Sequence, residues 1–247
     1  MTGETNTKTN RRLVTREFIL PFILVTSLFF LWGVAHSLLD VLNKHFQDIL
    51  GITRARSGLV QAALYGGYFI MAIPAGIFMN RMGYRKGIIT GLLLYATGAF
   101  LFLPATYIQT FEFTLFSLFV IACGLTFLET AANPYSSVLG PKDTSEQRLT
   151  LSQSFNGLGW IIGPALGGML ILGGDGATKA NKFSSMALPY MIVGGVVLVV
   201  AIMFIITRMP DIHEGEHDSH GDRGTYRGLL RVRHFRYAVV AQFLYVA

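Results

Sequence analysis

Cysteine is almost absent from this chain: Cys123 is the only one. It can form no intramolecular disulfide and no cysteine cluster for a metal, and it says nothing about redox compartment. Charge is scarce as well. Only 14% of the residues are charged, against roughly 25% in a soluble domain, while 52% are hydrophobic and the mean hydropathy is +0.49. Those proportions exclude an ordinary soluble domain and describe a membrane protein. The formal charge of +6 does not point to nucleic acid. That reading needs basic residues on one folded face, and here they sit in short connections between apolar runs. Nothing supplies a nucleophile elbow or a metal triad, and the only Gly-Asp-Gly, at Gly174-Asp175-Gly176, falls in a connection.

What is present is a series of long apolar runs that no Lys or Arg interrupts. They lie at about Phe18–Leu42, Ser57–Met79, Gly87–Ala105, Phe113–Leu139, Leu149–Leu172 and Leu188–Thr207. Each is near or above the ~20 residues needed to cross ~30 Å of hydrocarbon. The first is too long for a signal-peptide core and no small-residue cleavage site follows it, so a retained span is expected. The sequence therefore predicts an all-α membrane protein: a tail over 1–17, a six-helix domain over 18–207, a linker over 208–236 and the start of a seventh helix over 237–247. That last run, Tyr237–Ala247, reaches only ~17 Å at ~1.5 Å per residue. The expectation is a chain cut inside a seventh span, the N-terminal part of a longer protein.

Loop charge sets the orientation. Lys8, Arg11, Arg12 and Arg16 precede the first run, and Arg81, Arg85 and Lys86 join the second to the third. Lys142 and Arg148 join the fourth to the fifth, and Arg208, Arg223, Arg227, Arg231, Arg233 and Arg236 follow the sixth. The opposite connections hold only Lys44, Arg54, Arg56, Lys179 and Lys182. The positive-inside rule then places the N terminus and the linker in the cytoplasm.

Of the 14 acids, only Asp40 and Glu129 fall within runs, near the end of the first and inside the fourth. Those would be corresponding helices if the six spans form two inverted three-helix repeats, although the halves show no clear self-similarity. A carboxylate in hydrocarbon costs at least roughly 2.5 kcal/mol, so an intramembrane Glu marks a protein interior or a wet pathway. Glu129 has apolar residues on both sides, and Pro134 cannot donate to the carbonyl of Thr130, which frees polar backbone close by. A carboxylate there can accept two hydroxyl hydrogen bonds, which suits a polyol. Asp40 reads either as a span-end residue meeting headgroup water or as a functional acid. His36, four residues earlier on the same face, would be its polar partner or a satisfied structural histidine.

The fifth run opens with Gln153, Ser154 and Asn156 and continues with Gly159, Gly163 and Gly167. The glycines form a small-residue stripe whose ordinary use is close helix packing. Gln153 and Asn156 share a face and offer donors and acceptors, either to a neutral hydrogen-bonding substrate or to a neighbouring helix. In the linker, His213, His217 and His220 could bind a metal, but charged, Gly-containing sequence of this kind reads better as solvated connection. Arg227, Arg231 and Arg233 could lie against anionic lipid.

Two resemblances sharpen this. Gly76-Ile77-Phe78-Met79-Asn80-Arg81-Met82-Gly83-Tyr84-Arg85-Lys86 resembles the loop signature of the major facilitator superfamily, with Asn80 where that pattern has Asp. Phe30-Leu31-Trp32-Gly33, Leu39-Asp40, Gly67-Tyr68-Phe69-Ile70, Ile73-Pro74-Ala75-Gly76-Ile77, Leu128-Glu129-Thr130-Ala131-Ala132-Asn133-Pro134, Val138-Leu139-Gly140-Pro141 and Gln153-Ser154-Phe155-Asn156 resemble the fucose/proton symporter family. The resemblance implies twelve helices in two six-helix domains, with a monosaccharide bound between them and imported with protons across a bacterial inner membrane. It implies that Asp40 carries the coupling proton and that Glu129, Gln153 and Asn156 face the sugar cavity. No cofactor beyond the proton and no nucleic-acid partner is expected, and a monomer suffices. The family imports fucose, glucose and galactose, and amino sugars. Two other functions compete: a membrane enzyme using Asp40 and Glu129 as an acid/base pair, and a sugar sensor that binds without transporting.

Overall fold

The computed structural model describes residues 13–50, 53–169, 187–207, 209, 228 and 232–246. Gly174-Asp175-Gly176, the end of the fifth apolar run and the linker histidines lie outside the described residues. The chain divides into two compact units, Met1–His213 and Glu214–Ala247. In the second, one helix covers Arg233–Val246, which overlaps the expected start of a seventh helix.

The first unit is built of seven helices among the described residues: α1 (Ile19–Leu50), α2 (Arg54–Met82), α3 (Tyr84–Phe100), α4 (Phe102–Ile108), α5 (Phe111–Val138), α6 (Ser145–Gly167) and α7 (Ala187–Ile206). The helix of the second unit is α8. Local chemistry sets the ends. Pro21 stands in the first turn of α1, where its missing N–H has no helical partner to lose. Thr53 caps α2 by accepting the Arg56 amide at 3.3 Å. Gly83 closes the same helix with φ of 82°, a left-handed value that glycine takes without strain, and its amide reaches the Met79 carbonyl at 2.8 Å.

The third apolar run departs from expectation by being two helices, with the break at Leu101. Pro104 accounts for it. A proline there cannot donate to the Phe100 carbonyl four residues back, so α3 ends and α4 restarts. Pro134 and Pro164, by contrast, lie within the continuous helices α5 and α6.

Among the described residues, five stretches are long and apolar enough to cross a membrane: Arg16–His45, Ala55–Met82, Tyr84–Ile108, Phe111–Val138 and Ala187–Ile206. The fifth run of the sequence, read there as a span, is not among these five. Gln153, Ser154 and Asn156 lower its apolar content, as do Glu146, Gln147 and Arg148, which α6 takes into its first turn.

α5 is the axis of the unit. It packs on α3 and α2 and touches α1 and α6; α1 lies mainly along α6, and α7 along α3. Glycines let backbones approach at both main crossings. A Cβ on Gly124 of α5 would stand 2.6 Å from the Gly91 carbonyl of α3, and one on Gly159 of α6 would stand 2.5 Å from the Phe30 carbonyl of α1. The core holds Leu28, Leu38, Leu92, Tyr95, Tyr135 and Phe204, and Phe102 stacks on Tyr190 with ring centres 3.8 Å apart. Large apolar side chains also point outward, among them Phe69 of α2, 84% exposed, and Ile206 of α7, 76% exposed. Such faces need lipid or further protein to cover them.

Candidate functional site

A cleft opens between α1 and α5, lined by Leu28, Phe29 and Trp32 from one helix and by Leu128, Glu129, Ala132 and Asn133 from the other. Glu129 and Asn133 are four residues apart on α5 and so share a face. Asn133 is held at both ends of its amide: Nδ2 donates to the Glu129 carbonyl at 3.1 Å, and Oδ1 accepts from Gln153 Nε2 of α6 at 3.2 Å. Among the described residues, no donor is hydrogen-bonded to the Glu129 carboxylate and no cation is paired with it; its side chain is free to accept. Two polar side chains of α5, Glu129 and Asn133, thus line one small space flanked by an indole, and Gln153 of α6 reaches it through Asn133.

The other residues singled out from the sequence are placed differently. Asn156 donates from Nδ2 to the Phe29 carbonyl at 3.1 Å, so its amide ties α6 to α1 behind the cleft. Asp40 is exposed and does not line the cleft; its Oδ1 accepts from Gln61 Nε2 of α2 at 3.3 Å. It lies eight residues after Trp32, ~12 Å along a helix at ~1.5 Å per residue. His36 is not paired with Asp40: its Nε2 is 3.1 Å from the Tyr68 hydroxyl, which also receives the Trp32 indole N–H at 2.6 Å.

The glycine stripe of α6 faces α1. A Cβ on Gly163 would collide with the Ser37 hydroxyl, and one on Gly167 would stand 3.0 Å from Leu38 Cδ2. In the loop motif, Gly76 faces open space, and Asn80, Arg81 and Lys86 are exposed. Gly83 makes the turn, while Arg85 Nη2 donates to the Ile205 and Thr207 carbonyls at 3.0 and 3.2 Å. Arg85 thus caps the end of α7, where carbonyls lack helical donors.

Sequence reasoning missed three things. Asn133 and Trp32 lay in the quoted motifs but only the fold shows that they flank Glu129. Arg148, read as a loop charge that sets topology, is fully buried. Its guanidinium donates to the Ser136, Ser137, Pro141 and Leu13 carbonyls and to the Thr144 hydroxyl. Its signal was position: it stands next to the fifth run, four residues after Thr144.

A helical bundle with apolar outer faces and a carboxylate and an amide in an otherwise apolar cleft defines a multi-pass membrane protein. A family profile described as Major Facilitator Superfamily matches residues 18–247, and the chain belongs to that superfamily. It is similar to the L-fucose-proton symporter of Escherichia coli (strain K12), at 44% identity over 252 residues, 94% of this chain and 57% of the relative. It is also similar to the glucose/galactose transporter of Brucella abortus biovar 1 (strain 9-941), at 37% identity over 211 residues, 83% of this chain and 51% of the relative. A crystal structure of the transporter FucP in the outward conformation superposes with a TM-score of 0.75 at 43% identity, covering 94% of this chain and 60% of that one. The chain thus spans little more than half the length of the curated relatives it matches.

Proposed function

We propose that this chain is the N-terminal part of a transporter that imports a monosaccharide together with a proton, by alternating access across a bacterial inner membrane. The observation that carries the reading is the unpaired Glu129 carboxylate beside Asn133 and Gln153, facing Trp32. A carboxylate accepts sugar hydroxyls, carboxamides both donate and accept, and an indole face suits the C–H side of a pyranose. The names of the relatives support the substrate class: L-fucose, glucose and galactose are the sugars named in them.

In this reading Glu129 and Gln153 contact sugar directly, and Asn156 borders the cavity through α1. Asp40, outside the cleft and on the same helix as Trp32, carries the coupling proton. Separation of the two acids lets one report the proton and the other the sugar, while both bias the same reorientation of the helices. The N terminus lies in the cytoplasm, a placement the loop charges support, the second half of the cavity comes from further helices, and a monomer suffices. No cofactor takes part beyond the proton. An acid/base enzyme is disfavoured because Asp40 and Glu129 do not line a common cleft.

Uptake of labelled L-fucose, D-glucose and D-galactose into vesicles of the full-length protein tests this. Accumulation that collapses with the pH gradient is expected. Product without accumulation would make the protein an enzyme, and saturable binding alone would make it a sensor.

A further inference from the structure

His36 is where three helices meet beside the Glu129 cleft. Its ring lies edge-on to Trp32, one turn back on α1, with centroids 5.3 Å apart. It stacks on Trp160 of α6 at 5.9 Å and 30°, and the ring of Tyr68 on α2 is 5.7 Å away. These are the two tryptophans of the chain, one on either side of a single imidazole.

The hydrogen bonds are more specific than the ring contacts. An indole N–H only donates, so the Tyr68 oxygen accepts from Trp32, and its one hydrogen is left for another acceptor. His36 Nε2, 3.1 Å away, is placed to take it, an arrangement that requires the imidazole proton on Nδ1. This chain of two bonds ties α1 to α2 beside the cleft, while Gln61 on Asp40 and Gln47 on Ser57 tie the same helices further along. Trp32 itself lines the cleft with Glu129.

We propose that His36 is a positioning residue of the sugar site and a determinant of its selectivity, taking the Tyr68 hydrogen so that Tyr68 holds the Trp32 indole against the Glu129 cleft. The inference rests on the reading of that cleft as the sugar cavity. A fixed indole admits a pyranose only where an apolar C–H face meets the ring while hydroxyls reach Glu129. Once the indole can tilt, epimers that differ at one hydroxyl are told apart less well. Preorganisation of this kind acts on affinity and discrimination, with little effect on the rate at which a loaded carrier reorients.

The test uses the full-length protein in proteoliposomes, measuring counterflow KM and maximal rate for L-fucose, D-glucose and D-galactose together with the unfolding temperature. His36→Leu should raise KM for the preferred sugar about tenfold, the scale of one lost hydrogen bond, with the maximal rate held within about twofold. It should also narrow the spread between sugars. His36→Gln, whose Oε1 can accept from Tyr68, should restore most of both. Tyr68→Phe should match His36→Leu, and the double variant should be no worse than either single one. The proposal is overturned if His36→Leu leaves KM and selectivity at wild-type values. It is overturned equally if Gln and Leu are impaired alike with a lowered unfolding temperature, or if the double variant is additive. Wild-type protein that moves none of the three sugars would remove the cavity reading itself, and the proposal with it.

Discussion

Near the C-terminal end of α5 and near its middle, this fold treats polar side chains in opposite ways. Arg148 is fully buried and donates to four backbone carbonyls and a hydroxyl. Two of those carbonyls, Ser136 and Ser137, belong to the last turn of α5, where the helix itself supplies no donors. Glu129, two turns earlier, accepts nothing among the described residues although its neighbour Asn133 is held at both ends. Holding a half-buried carboxylate unpaired in an apolar helix costs stability, and a fold keeps one where something else supplies the donors part of the time. On the proposed function, the difference separates a group that completes the structure from a group that awaits a ligand. Identity of the side chain does not make that distinction; both are single charges at the ends or interiors of apolar runs.

The comparison predicts opposite phenotypes. Arg148→Met should produce the largest loss of stability, on the order of 3 kcal/mol, because at least two carbonyls would lose their donors at ~1–3 kcal/mol each. Thermal unfolding in detergent reads it, and the fraction that still folds should bind sugar with unchanged affinity. Wild-type stability in that variant would show that the guanidinium is not what satisfies the turn. Gly163→Leu should come next. Its side chain would enter the Ser37 contact and push α6 from α1, lowering folded yield, whereas Gly157→Leu meets open space and should be tolerated. Equal tolerance of the two would mean that the stripe does not face α1.

Asp40→Asn is expected to leave folding and sugar exchange largely intact while net accumulation fails. A permanently neutral side chain binds no proton, so a pH gradient cannot bias the cycle, whereas exchange needs only reorientation of the loaded carrier. Paired pH-driven uptake and counterflow measure it. Accumulation by the variant would move the proton site elsewhere, with Glu129 the next candidate.

Much of the fold was legible because apolar runs and their lengths are one-dimensional properties. The helices follow them closely, and the glycine stripe faces a neighbour as its spacing implied. The break at Leu101 was visible in principle at Pro104, but an unbroken apolar run masked it. For the site, Glu129 could be found from the anomaly of an acid in an apolar run. The Trp32–Tyr68–His36 chain could not, since it depends on how α2 meets α1, and no spacing within one helix encodes that. Arg148 was misread for a related reason. A basic residue beside a span looks the same in sequence whether it meets water or five carbonyl and hydroxyl oxygens.

The most direct test of the account is equilibrium sugar binding by the full-length Glu129→Ala protein, measured beside its unfolding temperature. Loss of detectable binding is predicted, with the unfolding temperature held near the wild-type value, since the carboxylate contributes acceptors to the cleft and little to packing. Glu129→Gln, which keeps one acceptor and the shape, should retain more binding than alanine. Wild-type affinity in a folded Glu129→Ala protein would contradict the assignment of this cleft as the sugar site.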